Sequence, residues 1–232
     1  MADLEQADEA AADVSEANAA EEDAAGAQDS EPQDSEPQDS DETLTESYER
    51  LRHSTDSAEL SQVARTPLPD RSDAAAFSRA TALLEAVAGN PNTLIEDRVF
   101  LATTMPFPNI LVKLSEDPEA SVRVEVAKNT DSKNWLAGRL TKDVDVEVRT
   151  AALTNPQTSW KMRLEGAQAD TTSPEALAFL AQLGVSVEEK APVVLASMVR
   201  RSVALNPNTS QDVIDRLKDD PETQVRHAAQ TR

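Results

Sequence analysis

Along the second two-thirds of this chain, apolar residues fall into short clusters that recur at one spacing. Val122, Val126 and Ala127 lie on one side of a helical pattern, and Leu136 and Leu140 follow as a pair four apart. Val213 and Leu217 repeat that pair near the C-terminus. Spacings of three and four place side chains on one face of an α-helix. Each stretch leaves room for only about ten residues, so the pattern predicts pairs of short helices rather than long amphipathic rods. In one helix of each pair, 3₁₀ geometry competes with α geometry.

The polar residues between the clusters repeat as well. Asp117-Pro118-Glu119-Ala120-Ser121-Val122-Arg123 leads, six residues after its arginine, to Asn129-Thr130. Asp143 to Arg149 leads by the same six to Asn155-Pro156-Gln157-Thr158, and Arg200 leads to Asn206-Pro207-Asn208-Thr209. Asp220-Pro221-Glu222-Thr223-Gln224-Val225-Arg226 then restarts the pattern. Arg123 and Arg149 are 26 apart, as are Arg200 and Arg226. Arg149 and Arg200 are 51 apart, so a degenerate copy over residues 176–197 lies between them. Upstream, Asn90-Pro91-Asn92-Thr93 marks a further copy with Leu84 in the arginine's place. Another divergent copy is built around Arg98 and the Met105-Pro106-Phe107-Pro108 turn, and residues 48–64, with Leu60 and Val63, form a worn first one. Asp before Pro predicts a helix N-cap with proline at N1. Asn-Pro-x-Thr predicts a turn, because the residue before proline is pushed out of helical geometry. Thr209 with Asp212 reads as a variant capping box.

The string Asp-Pro-x-x-x-Val-Arg, then Ala, Asn-Pro-x-Thr and Leu, resembles the variant leucine-rich repeat, a relative of the HEAT repeats. The resemblance covers residues 80–232 and implies a right-handed superhelix in which α-helices alternate with 3₁₀ helices. The founding type of that family carries an N-terminal cysteine cluster for an iron–sulfur centre. This chain has no cysteine, so no redox role follows. The expected fold is all-α: a right-handed solenoid of α/3₁₀ or short α-α repeats over residues 47–232. Its expected repeat length is 26 residues, the spacing of the arginines.

Charge divides the chain at the same place. Residues 1–46 contain seventeen Asp and Glu and no Lys or Arg, whereas the remainder holds twenty-six acidic and twenty-two basic residues. The N-terminal stretch also carries a tandem pentad, Gln28-Asp29-Ser30-Glu31-Pro32 and Gln33-Asp34-Ser35-Glu36-Pro37. A segment so poor in apolar residues cannot offset the entropy of ordering, and its charges repel. It is expected to be a disordered acidic tail. The start lacks the basic and apolar regions of a secretory signal, and no apolar run approaches a membrane span. These features fit a cytoplasmic protein without membrane attachment.

Candidate chemistry is sparse. The two histidines, His53 and His227, stand in distant repeats, and five glycines form no phosphate-binding loop. No catalytic, cofactor-binding or metal-ligating set can be placed, and none is expected. Arg123, Arg149, Arg200 and Arg226 recur at one repeat position, which points to contacts between repeats; the alternative is an anion-binding face. Asn90, Asn129, Asn155 and Asn206 are the corresponding turn positions. One doubled basic site, Arg200-Arg201, is too little for a nucleic-acid stripe. Trp160, aligned with Leu164 and Ala167, belongs to the core. Trp135, one position before the Leu136/Leu140 stripe, and Phe107, between two prolines, are candidate partner contacts. For both, folding over the adjacent repeat is the competing reading.

The last copy begins at Val225-Arg226-His227-Ala228-Ala229, and Arg232 stands where the next Asn would be. An uncovered end of a repeat array associates, which makes Ala228 a third candidate contact and a homodimer a possible outcome. A polar end that needs no cover is the competing expectation. The expected function is a non-enzymatic scaffold that binds a protein partner through the face of the stack. The acidic tail would serve as a solubilising or auxiliary binding element. Two alternatives stand beside it: a HEAT-like enzyme or enzyme-maturation subunit, and a tail that mimics nucleic acid.

Overall fold

The computed structural model describes residues 42–232; the expected disordered tail lies, up to residue 41, outside them. Thirteen α-helices and no strand are found among the described residues. The first helix, α1 (Leu44–His53), begins three residues before the boundary expected at residue 47. The reason is local. Thr43 and Glu46 close a reciprocal capping box, and Arg50 reaches back to Glu42, so the acidic residues 42 and 46 belong to the helical body.

Next come α2 (Ser57–Arg65), α3 (Ala74–Ala88), α4 (Ile95–Thr104), α5 (Pro108–Leu114), α6 (Ala120–Lys128) and α7 (Asn134–Leu140). The chain continues through α8 (Val146–Thr154), α9 (Trp160–Gln168), α10 (Pro174–Leu180), α11 (Val193–Leu205), α12 (Gln211–Leu217) and α13 (Thr223–Gln230). Helices as short as α7 and α12 span seven residues, yet both are α rather than 3₁₀. Neither length could hold a helix in water. Their buried stripes do, with Leu136 and Leu140 in α7 and Val213 and Leu217 in α12 packed into the core.

The principal packing joins each helix to a chain neighbour or to the next helix but one. α1 lies on α3 and α2 on α4; α4, α6, α8 and α10 pack in succession, as do α9, α11 and α13. The buried apolar residues form two clusters, one from Leu51 to Ala152 and one from Ala167 to Ala229. They meet where α8 runs into α9. There Gly166 is required: a β-carbon would stand 2.4 Å from Leu153 Cδ2.

The four turn asparagines hold helix ends together. Each is buried, and each Oδ1 accepts the N–H two residues ahead, which closes the turn. Each Nδ2 then donates to two carbonyls at the end of a neighbouring helix. Asn90 reaches Leu51 and Ser54, Asn129 reaches Ala102 and Met105, Asn155 reaches Ala127 and Asn129, and Asn206 reaches Ala167 and Ala169. The last carbonyls of a helix have no intrahelical donor, so this supplies what a buried helix end lacks. The linked helices are α1–α3, then α4–α6–α8, then α9–α11. The set thus passes from odd to even helices between α3 and α4, and back between α8 and α9.

Two expected caps take other roles. Asp117, Asp143 and Asp220 are not N-caps: each accepts the N–H two residues on, and the helix begins later, after Glu119, Asp145 and Glu222. The threonine of each turn closes the preceding helix instead of opening the next. Thr93, Thr158 and Thr209 all donate to the carbonyl six residues back.

Candidate protein-binding surface

The repeating arginine is a strut between loops. On α6, Arg123 gives Nη1 to the carbonyls of Asp117 and Pro118 at 2.8 and 3.0 Å. Its Nε and Nη2 clasp the two carboxylate oxygens of Asp143, both at 2.9 Å. On α11, Arg200 grips Asp220 in the same fork at 2.7 and 3.0 Å, and its Nη1 takes the carbonyl of Leu183. This pair is almost fully enclosed, the side chains being 2% and 3% exposed. The planar guanidinium fork matches a carboxylate in a way a lysine cannot.

Two arginines outside the clear repeats do the same. On α4, Arg98 Nε lies 2.8 Å from Asp117 Oδ2 and Nη1 donates to the carbonyl of Thr93. On α9, Arg163 holds both oxygens of Glu188 at 2.8 and 2.7 Å, from a loop in which Glu188 adopts a left-handed φ of 48°. The strain of that conformation is offset by the pair it completes. Arg98 was legible as the centre of a divergent copy, but Arg163 was not, because its acid lies 25 residues on rather than 20. Asp143 shows the electrostatic consequence. Burial pushes its carboxyl up, but hydrogen bonds from Arg123 and from the Asp145 N–H outweigh this and hold it below its ordinary value. Arg123 is raised in turn, first by its hydrogen bond to Asp143.

Arg226 on α13 keeps the carbonyl half of the arrangement, donating to Asp220 and Pro221, with Nη2 on the hydroxyl of Thr223. Arg149 on α8 donates to the carbonyls of Asp143 and Val144 at 2.8 and 2.9 Å, and Nη2 reaches the carbonyl of Thr171 at 3.2 Å. It meets no carboxylate among the described residues.

The three candidate contacts stand apart from one another. Trp135 on α7 is exposed, at 54%, beside a groove of about 420 Å³ shared with Met162 and Arg139. Phe107 is half-buried, and its ring meets Phe77 edge-on with centroids 5.8 Å apart, so it packs rather than projects. Ala228 is buried, which corrects its reading as an open-end contact. α13 turns that face onto α11 and α12, inside the second apolar cluster. The polar side of the same end bears Arg232, which donates to the carbonyls of Pro207 and Ala204. It thereby caps the end of α11 as the turn asparagines cap theirs.

A further apolar surface escaped the sequence reading. α11 leaves Val193, Val194, Leu195, Met198 and Leu205 exposed, Val194 by 70%. Val194, Met198, Arg201 and Leu205 recur at intervals of four, three and four, along one stripe of the helix. With Leu164 and Gln168 of α9 and Glu222 to Gln224 before and in α13, they line a groove of about 560 Å³. The signal was present in the sequence, since residues 193–199 are apolar except for Ser197, more than one core-facing stripe needs. Among the described residues no group of acidic or histidine side chains is arranged to hold a metal, and no helix is long and apolar enough to cross a membrane. No family model matches the chain, and neither does any curated protein or solved structure.

Proposed function

We propose that this protein is a non-enzymatic scaffold: a right-handed solenoid of helical repeats, of the variant leucine-rich type, that binds a protein partner. The repeat length is 26 residues, as the arginine spacing and the asparagine bonds between next-but-one helices suggest. The observation that carries the reading is the exposed stripe Val194, Met198 and Leu205 on α11, bordered by Leu164 and Arg201. A stack of short helices needs only its inner stripes for stability, and contiguous apolar surface left outside marks an interaction site. A partner with an apolar helical or extended segment fits a groove of this kind. The acidic N-terminal segment is a solubilising or auxiliary element in a cytoplasmic protein.

The double variant Val194→Asp/Met198→Asp tests this in the full-length protein. Both side chains are exposed, so helical circular dichroism and the melting temperature are expected to stay near those of the wild type. Proteins captured reproducibly by the wild type should be lost with the variant and kept by a Val144→Asp control, a residue 92% exposed on a different loop. Identical capture by wild type and double variant overturns the reading.

A further inference from the structure

The exposed stripe of α11 has the spacing of a seam between two helices. Val194, Met198, Arg201 and Leu205 follow one another at four, three and four residues. That alternation of fours and threes is the heptad pattern by which one helix sets its side chains into the holes of another. α11 does not need this stripe for its own packing. Ala196, Val199, Val203 and Ala204 are buried on its core side, and Met198 and Leu205 stand 45% and 56% exposed on the other. α9 and α13, which both pack on α11, add Leu164, Gln168, Thr223 and Gln224 to the lining of the groove.

Arg201 stands inside that seam. It is exposed and pairs with no carboxylate among the described residues, unlike its chain neighbour Arg200, which grips Asp220. Among the described residues it is the one cation lining the groove and Glu222 is the one acid, and the two form no ion pair. Anything laid along the stripe takes the Arg201 guanidinium out of water, and a charge enclosed without a partner is costly. The occupant must therefore bring a carboxylate to that point. The α11 of a second copy brings none, because residues 193–205 hold two arginines and no acid. Of the helical and extended segments that fit the groove's shape, chemistry favours the helix. The lining is made of helix side chains, with no strand among the described residues to pair with an extended backbone. Peptide groups of an extended segment would lose water there without gaining partners, whereas a helix bonds its own.

We propose that the occupant is an amphipathic α-helix of a protein partner, with apolar residues at alternating intervals of three and four and an Asp or Glu among them opposite Arg201. This rests on the reading of the α11 groove as the partner site and specifies what the site takes. The apolar residues cover Val194, Met198 and Leu205 and supply most of the affinity. The carboxylate accepts from the guanidinium, fixes the register of the two helices and excludes partners that lack it.

The test uses the full-length chain and a displayed library of helix-forming peptides. Each peptide carries Leu or Ile at intervals of three and four, with the middle position of that stripe and the outer faces randomised. Selection on the wild type is expected to enrich Asp or Glu at the middle position, and selection on Arg201→Glu to enrich Lys or Arg there. Arg201 is exposed and unpaired, so the variant is expected to keep the wild-type melting temperature. Changing the acid of a selected peptide to its amide should lower affinity for the wild type by about tenfold and leave affinity for Arg201→Gln unchanged. A library from which nothing is enriched overturns the proposal. So does enrichment without an acid preference, Arg201 then being served by Glu222 or water, or with the same preference on Arg201→Glu. A selected peptide that keeps its affinity with proline at its centre binds extended, and a wild-type dimer in sedimentation that Val194→Asp/Met198→Asp disrupts makes a second copy the occupant; each also overturns it. Peptides that still bind Val194→Asp/Met198→Asp sit elsewhere and overturn the groove reading as well. Peptides lost with that variant but indifferent to Arg201 leave the groove reading standing and refute the acidic helix alone.

Discussion

Arg200→Ala is the sharpest probe of what joins the repeats. The substitution removes two charge-assisted bonds to Asp220 and the bond to the Leu183 carbonyl. Asp220 stays behind with its side chain 3% exposed and the Glu222 N–H, at 2.8 Å, as the remaining donor. Removing one partner of a buried ion pair costs about 3–5 kcal/mol, chiefly through the charge left behind. The orphaned Leu183 carbonyl adds about 1–3 kcal/mol on its own, but the two losses share one side chain and do not simply add. The expected net loss is therefore about 4 kcal/mol, read by urea denaturation of the full-length chain with helical circular dichroism as the signal. Because α11 packs directly against α12 and α13, hydrogen exchange should accelerate most in these three helices. The penalty belongs to the stranded charge, so Arg200→Met with Asp220→Leu should recover most of it. A single variant within about 0.5 kcal/mol of the wild type, or a double variant no better than the single, would refute this reasoning.

Gly166→Ala should cost about 1–3 kcal/mol, because its β-carbon would enter the space of Leu153 at the seam of the two cores; Leu153→Ala in the same chain should relieve part of that cost. Asp143, depressed by Arg123, gives stability that is fully present above its ordinary value of 3.8 and is lost as pH falls through its lowered folded value. The urea midpoint of the wild type should therefore fall on acidification below that value, and Arg123→Gln should lose less over the same range. Equal slopes for the two proteins would remove the pair from the account.

Much of the architecture is written locally. The spacing of Arg123 and Arg149 and the Asn-Pro-x-Thr turns announce paired short helices, because turn chemistry and helical periodicity act within a few residues. The recurrence of one arginine and one asparagine per copy points to contacts between copies, since a single helix has no use for them. What those residues grip was decided only in three dimensions. Asn206 bonds to carbonyls 37 and 39 residues away, and Arg163 finds its acid in a loop whose length differs from the other copies. Asp117 and Asp220 looked like caps because a cap is the nearest use for Asp before Pro at a helix start; each instead closes the turn through the N–H two residues on and receives an arginine from an earlier helix on the same carboxylate. The burial of Ala228 and the exposure of Val194 and Met198 were beyond any local pattern. All are small or apolar residues at helical spacing, and only the packing of α13 against α11 assigns one face inward and leaves the other open. That Arg149 meets no carboxylate among the described residues belongs to the same class. It arises where the linked row changes sides between α8 and α9, and that change is a property of which helices lie side by side, not of either helix alone.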